Sequence, residues 1–223
     1  MNPAATRPIV SGSRTSAILL SFATLGAVTF WVLAATPYFT TQRDAFGPVP
    51  DAYWDRRFLL WGHILGGTLA MFTGPIQLWL GETRRRLPLH RRLGLVYLAG
   101  VAITCTAAIG LSLTATFGLI YASGLFFVAV ACAIFTTLAY VAIRKRDFIQ
   151  HREWMIRSYV MIFAFAIFRA LDMAMGAMGI GGMTEDGVLL RLGLAAWASW
   201  AVPLFITEVC LQYPKIGRPV RVR

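Results

Sequence analysis

The stretch "HREWMIRSYVMIFAFAIFRALD", His151 to Asp172, opens with charged residues and continues as a long apolar run. About 20 apolar residues are enough to cross the hydrocarbon core of a bilayer as a helix. A helix is required there because unpaired backbone groups are too costly in lipid. The stretch therefore predicts a membrane-spanning helix that begins at a basic segment.

The composition of the whole chain agrees with a membrane protein. Of its 223 residues, 57% are hydrophobic and only 14% are charged, whereas a soluble domain normally has about a quarter charged residues. The formal net charge of +11 comes from basic residues clustered at the ends of apolar runs, as in cytoplasmic membrane loops. The expected partner is therefore the lipid bilayer, and nucleic acid is not expected.

Six apolar segments can be distinguished along the chain, and each is long enough to span a membrane. We therefore predict an all-α fold, a bundle of six transmembrane helices in a single domain over residues 16–210. Tails of residues 1–15 and 211–223 flank this domain. The predicted spans are Ser16–Thr36, Phe58–Leu80, Leu93–Phe117, Ala122–Ile143, Met155–Gly176 and Leu189–Cys210.

Lysine and arginine are distributed unevenly between the two sides of the predicted bundle. Sixteen lie in the two tails and in the second-to-third and fourth-to-fifth connections, and four lie on the opposite side. Basic residues favour the cytoplasmic side, so both termini are predicted to be cytoplasmic. The first apolar run is longer than the core of about 7–15 residues in a signal peptide, which favours an uncleaved anchor. The connection from Pro37 to Arg57, on the opposite side, is predicted to be an ordered cap or an interfacial segment.

Ionisable groups inside a span are costly in lipid and are therefore candidates for function. Arg169 and Asp172 are three residues apart in the fifth predicted span, so they share a helical face. They are expected to form an internal ion pair or to line a small polar pocket. His63 and Gln77 share a stripe with small residues in the second span. That stripe predicts close approach of another helix, or a groove for a flat ligand. Together, His63, Gln77, Arg169 and Asp172 form the predicted intramembrane polar site.

A His-Arg pair stands at the start of two parallel helices, at His90–Arg91 and at His151–Arg152. Pro88 suits the first turn of one helix, and Asp147 is a suitable N-cap for the other. Both imidazoles are therefore expected at the same membrane edge. Paired imidazoles can bind the iron of a b-type haem, and the neighbouring arginines can bind its propionates. The alternative is that each pair anchors the protein to lipid phosphate.

The chain's other sequence signals are weaker. The three cysteines, Cys105, Cys132 and Cys210, lie in apolar segments without CxxC spacing, as buried packing residues usually do. Neither a disulfide framework nor a zinc site is predicted. The sequence has no P-loop, no GxGxxG motif after a strand and no nucleophile elbow. Whether the protein is an enzyme is left open.

Three blocks of the sequence together resemble a known family. They are "WGHILGGTLAMFTGPIQLW", "LHRRLGLVYLAG" and "HREWMIRSYVMIFAFAIFRALD", and in this order they resemble the predicted membrane proteins of domain-of-unknown-function family 2306, over about residues 58–172. The resemblance implies a multi-pass protein of the bacterial inner membrane and supplies no catalytic role. It also implies that these residues belong to the family pattern: His63, His90, His151, Arg152, Trp154, Met155, Arg157, Ser158, Tyr159 and Arg169.

A looser, architectural similarity is to six-span cytochrome b561-like proteins, in which histidines on central helices hold two haems. The third and fifth spans here fit one ligand pair, whereas the fourth span has no histidine. The first functional hypothesis is therefore electron transfer through haem b, with a site near His63 for a reductant, a quinone or a second cofactor. The alternatives are a small-solute or proton-coupled transporter that uses His63, Arg169 and Asp172, or a non-catalytic assembly subunit. A homo-oligomer is a further candidate assembly.

Overall fold

Within the described part of the chain, the fold contains helices and turns and no strand. Five helices are long and apolar enough to cross a membrane, which confirms an all-α membrane protein. The first predicted span, Ser16–Thr36, lies mostly outside the described residues. The computed structural model describes Leu25, Val28 and residues 31–46, 50–84, 86–182 and 184–216.

The five long helices correspond to the second to sixth predicted spans, and each begins one to seven residues before the predicted boundary. The predicted boundaries followed the apolar residues alone, whereas the helices continue into the polar segments that flank them. The helices are α1 (Arg57–Thr83), α2 (Leu87–Leu113), α3 (Leu119–Arg144), α4 (Phe148–Ala177) and α5 (Glu185–Gln212).

The helix starts follow the expected capping chemistry. Pro88 lies in the first turn of α2, where its missing N–H costs nothing. The side chain of Asp147 accepts a hydrogen bond from the backbone nitrogen of Gln150 at 3.0 Å, which confirms it as the N-cap of α4. Thr184 caps α5 in the same way.

Successive helices are neighbours in the bundle, and α1 also contacts α4 while α3 contacts α5. The connection between α2 and α3, residues 114–118, is short, as expected for an antiparallel hairpin. We call the end at which α1 begins the cap end. The opposite end, which carries the basic connections before α2 and α4, is the basic end. Large apolar side chains are exposed on the helices, as contact with lipid requires.

Helices α1 and α2 approach each other backbone to backbone. A Cβ atom added to Gly66 would lie 2.7 Å from the carbonyl oxygen of Gly100 and 2.7 Å from the backbone nitrogen of Thr104. Small residues permit this kind of approach between helices in a membrane. The close approach predicted from the small-residue stripe of α1 is therefore confirmed.

The segment before α1 folds over the cap end of the bundle. We call residues 36–56 the cap, and short helical turns make up most of its described part. Tyr38 and Phe46 of the cap are buried and form a small core with Leu60 of α1. Nε1 of Trp61 donates a hydrogen bond to the carbonyl oxygen of Tyr38 at 2.7 Å. The predicted ordered cap is thereby confirmed over the described residues.

Three buried hydroxyl groups join α2, α3 and α4 near the middle of the bundle. The Ser158 Oγ lies 2.7 Å from the Tyr97 hydroxyl and 2.6 Å from the Thr136 Oγ1. All three side chains are buried. We call these residues the hydroxyl network. Its hydrogen bonds satisfy polar groups that would otherwise be costly in an apolar interior.

Candidate functional site

A cavity of about 150 Å³ extends from beneath the cap toward the middle of the bundle. The cap, the connection after α2 and all five long helices contribute to its wall, which is mostly apolar. An apolar cavity of this volume can hold a ring the size of benzene. Its deepest wall, toward the basic end, includes Met71, Cys132 and Met161.

His63 and Arg169, two residues of the predicted polar site, both line this cavity. The ring of His63 meets the ring of Phe165 edge to face, with centroids 5.7 Å apart. The Cζ atom of Arg169 lies 5.3 Å from the centroid of the same Phe165 ring and 5.6 Å from that of Phe168. The structure therefore brings His63 and Arg169 together around one aromatic side chain.

The hydrogen bonds of His63 define which ring nitrogen carries the proton. The Thr104 hydroxyl donates to the carbonyl oxygen of His63 at 2.9 Å, and the His63 Nδ1 lies 3.0 Å from the same Thr104 Oγ1. Because the hydroxyl proton is already used, Oγ1 accepts a hydrogen bond from Nδ1–H. In the neutral imidazole Nε2 is then the acceptor.

Two arginines line the cavity, and one of them, Arg56, donates hydrogen bonds to the carbonyl oxygens of Thr114 and Ala52. Arg169 is the other. Its Nη2 donates to the Tyr38 hydroxyl at 3.5 Å, and no carboxylate among the described residues lies within ion-pair distance of it. Burial raises the pKa of the Tyr38 hydroxyl, and the Arg169 guanidinium acts in the opposite direction. Tyr38 therefore keeps its proton at neutral pH.

The predicted ion pair between Arg169 and Asp172 is wrong. Asp172 instead accepts a hydrogen bond from Nε of Arg191, on the neighbouring helix α5, at 2.8 Å. A spacing of three residues places two side chains on one face of a helix, yet it does not determine which one a neighbouring helix pairs with. The carboxylate of Asp172 pairs with Arg191, and the guanidinium of Arg169 lines the cavity instead.

Gln77 does not lie with His63, although both were assigned to one polar site. Its Nε2 donates a hydrogen bond to the carbonyl oxygen of His90 at 2.7 Å, near the basic end. Fourteen residues separate Gln77 from His63, which is about 21 Å along a helix at 1.5 Å per residue. Gln77 therefore fixes the start of α2 against α1 and is remote from the cavity.

The two histidines of the His-Arg pairs lie at the basic end. The Nδ1 of His151 is 2.9 Å from the carbonyl oxygen of Ala139 on α3, so Nδ1 carries the proton and Nε2 has the lone pair. The ring of His90 packs against Gly81, whose absent side chain leaves room for it.

The arginines that follow these histidines differ in their surroundings. Nε of Arg152 lies 3.1 Å from Oε2 of Glu82 on α1, whereas Arg91 is exposed. Within the described ranges, no group of three or more His, Cys, Asp or Glu side chains could hold a metal ion. A metal at this end would depend on the two imidazoles.

Two cysteines also line the cavity, although the sequence predicts them only as packing residues. Cys105 of α2 and Cys132 of α3 are buried and belong to one core cluster. A signal for this position exists in α3, where small residues recur at helical spacing: Ala129, Cys132, Thr136 and Ala139. All four are buried, so the stripe marks the inward face of α3.

Comparison with known proteins shows which family the chain matches. The family described as predicted membrane proteins, DUF2306, matches residues 60–211, which is more than half of the chain and includes His63, Arg169 and both buried cysteines. No curated protein and no solved structure matches the chain. The chain therefore belongs to the DUF2306 family of predicted membrane proteins.

Proposed function

We propose that this membrane protein binds the ring of a quinone in the cavity at the cap end. The observation that carries the proposal is Arg169, a cation in a mostly apolar cavity with no carboxylate partner among the described residues. Arg169 is half-buried, and a cation withdrawn from water is stabilised by a group that pairs with it or accepts its hydrogen bonds. The carbonyl oxygens of a quinone are such acceptors, and its ring suits the size of the cavity.

The other polar groups of the cavity suit both redox forms of such a ligand. Arg169 and the protonated Tyr38 hydroxyl are donors for a quinone carbonyl. The Nε2 of His63 is an acceptor, which a hydroquinone hydroxyl can use. The rings of Phe165 and Phe168, which stack on each other beside Arg169, make this part of the wall aromatic.

Quinone binding can be measured with the purified protein in detergent, using a short-chain ubiquinone and the quenching of tryptophan fluorescence. We expect saturable binding, and we expect Arg169→Gln to weaken it about tenfold or more, since a hydrogen bond to a charged group contributes about 1.5–3 kcal/mol. Arg144→Gln is the matched control, because Arg144 bonds to Tyr140 at the basic end. Absence of saturable binding, or equal affinity in the two variants, would refute the proposal.

A second candidate function is electron transfer through a b-type haem between His90 and His151. The observation that favours it is the bond from Nδ1 of His151 to the Ala139 carbonyl. Ligating histidines commonly donate their other ring nitrogen in this way, which orients Nε2 toward the metal. The imidazoles fit the donor set of a haem site, and the exposed Arg91 fits a propionate. Arg152 fits less well because it is paired with Glu82.

The haem candidate has a simple spectroscopic test. Protein expressed with added haem precursor is purified in mild detergent, and its visible spectrum is recorded in the oxidised and reduced states. A bound b-type haem gives a Soret band, which His90→Ala or His151→Ala should remove and Arg144→Gln should leave. Protein without a Soret band would exclude the haem and would leave the quinone site unaffected.

We also propose the complete topology: six spans in the bacterial inner membrane, with both termini in the cytoplasm. The excess of lysine and arginine at the basic end and in the two tails supports this orientation. The test is labelling of single cysteines in intact cells with a membrane-impermeant maleimide, in a background without native cysteines. A cysteine in place of Asp51 should react from outside, and one in place of Lys145 should not. The reverse pattern would contradict the orientation.

A further inference from the structure

Cys105 and Cys132 are arranged as a dithiol that faces the cavity. They come from adjacent helices, belong to one buried core cluster, and both line the cavity. Each is at most 5% exposed. The third cysteine, Cys210, is exposed on α5 and does not line the cavity. The structure therefore separates one pair from one isolated thiol.

The surroundings of the pair exclude water and supply few competing groups. Met71 and Met161 belong to the same buried core cluster as the two cysteines. The Cys132 Sγ lies 3.9 Å from the carbonyl oxygen of Ser158, which belongs to the hydroxyl network. In the other direction, Cys105 follows Thr104, the residue that holds His63. The pair thus lies between the sealed middle of the bundle and the polar part of the cavity.

The shared cluster brings the two cysteines together from neighbouring helices. A disulfide requires the two Cα atoms to be within about 4.4–6.8 Å of each other and their Cβ atoms to face. Both cysteines belong to one buried cluster and to the wall of one cavity, which is the placement that such a bond needs. No new pairing of helices is needed for the bond to form.

We propose that Cys105 and Cys132 are a redox-active pair that exchanges two electrons with a quinone bound in the cavity. In the forward step both S–H bonds break and one S–S bond forms. The two electrons and two protons pass to the two carbonyl oxygens of the quinone, which becomes a hydroquinone. The reverse step restores the two thiols and the quinone. This inference rests on the proposed quinone site, and it identifies the electron donor for that site.

The test follows the thiols and the quinone in one sample. The Cys210→Ser variant is reduced, freed of reductant and incubated without oxygen with a short-chain ubiquinone. It is then denatured, alkylated with N-ethylmaleimide and weighed by intact mass spectrometry. We expect both alkylation sites to disappear and the protein mass to fall by two hydrogen atoms. One hydroquinone should form for each protein molecule.

Matched variants show which thiols take part. Protein with native Cys210 should keep one alkylation site after the reaction and form the same amount of hydroquinone. Adding Cys105→Ser or Cys132→Ser should abolish hydroquinone formation and leave the remaining thiol open to alkylation. The Cys210→Ser protein alone decides the proposal if these serine variants fail to fold.

Binding measured on the same sample separates the two proposals. If the ubiquinone quenches tryptophan fluorescence saturably while both thiols stay open to alkylation, the dithiol inference is overturned and the quinone site stands. If the ubiquinone does not bind, both proposals are overturned. Formation of a disulfide together with an equal amount of hydroquinone supports both.

Discussion

The carboxylate of Asp172 pairs with Nε of Arg191 at 2.8 Å across the contact between α4 and α5. The two side chains are 18% and 17% exposed, respectively, so the pair lies largely inside the bundle near the cap end. This ion pair joins α4 to α5. Because Asp172 is the carboxylate nearest in sequence to Arg169, its pairing with Arg191 leaves Arg169 without that partner. The guanidinium of Arg169 is thereby available to a ligand.

Removal of this carboxylate should destabilise the protein. Asp172→Asn leaves the charge of Arg191 largely buried without its partner, and we expect a loss of about 1–3 kcal/mol, somewhat less than for a fully buried pair. Unfolding in mixed micelles, followed by circular dichroism, measures this. Asp51→Asn is the control, because Asp51 and Arg43 form a pair with side chains 85% and 58% exposed. Exposed pairs contribute little, and an equal effect of the two variants would contradict the internal role of Asp172.

Adding a single methyl group at Gly66 should force α1 and α2 apart and destabilise the protein. In Gly66→Ala the new Cβ meets backbone atoms of Gly100 and Thr104 at 2.7 Å, and backbone cannot rotate away. We expect a loss of about 1–3 kcal/mol in the free energy of unfolding, as for overpacking elsewhere. Gly62→Ala, one turn earlier, meets nothing closer than 3.7 Å and should be neutral or slightly stabilising because alanine favours helix. Similar stabilities of the two variants would show that the helices can move apart freely.

The hydroxyl network should be sensitive to the loss of its central member. Ser158→Ala deprives the buried Tyr97 hydroxyl of its partner, while Thr136 keeps a bond to the carbonyl oxygen of Cys132. An unsatisfied buried hydroxyl costs about 1–3 kcal/mol, and the same micelle titration should detect it. The control is Ser123→Ala, since the Ser123 hydroxyl bonds only within its own helix. A Ser158 variant as stable as this control would mean that the network contributes nothing.

Arg157 should be the arginine at the basic end that contributes most to stability. It hydrogen-bonds to both carboxylate oxygens of Glu208 and lies 3.7 Å from Glu153, with its own side chain only 6% exposed. We expect Arg157→Gln to cost about 3 kcal/mol, because Glu208 loses its cation and Glu153 keeps only Lys215.

The matched variant for this prediction is Arg152→Gln. Arg152 pairs with Glu82, and these side chains are 46% and 39% exposed, so the expected loss is below about 1 kcal/mol. Both variants are measured by thermal unfolding in detergent. Equal melting temperatures in the two would indicate that burial of Arg157 has no energetic consequence.

The sequence was sufficient to predict the long described helices and the order in which they occur. The length of an apolar run is a direct constraint imposed by the bilayer, and few other structures satisfy it. The capping role of Asp147 was also predictable, because a cap depends on residues within one turn of it. Boundaries were less accurate, since α2 and α4 begin in polar segments that lie before their apolar runs.

The candidate site was predictable only within single helices. His63 and Arg169 were identified because polar residues are rare in apolar spans, and both line the cavity. The pairing of Asp172 with Arg191 depends on how α5 is rotated against α4, which spacing along one helix does not determine. The sequence predicts Cys105 and Cys132 only as packing residues. Their shared position in the cavity wall depends on how two different helices pack, which a single helix does not reveal.

The hydroxyl network also lies at the deep end of the cavity, on the side of the basic end. Cys132 marks the deepest wall of the cavity, and Thr136, one helical turn further toward the basic end, already belongs to the network. Among the described residues, the hydroxyl network therefore lies between the cavity and the basic end of the bundle. A ligand that enters from the cap end would meet these hydrogen-bonded hydroxyl groups at the far side of the cavity. In the proposed dithiol reaction, the electrons of the two buried thiols would therefore pass only to ligands that reach the cavity from the cap end. The hydroxyl network would shield the thiols from oxidants at the basic end.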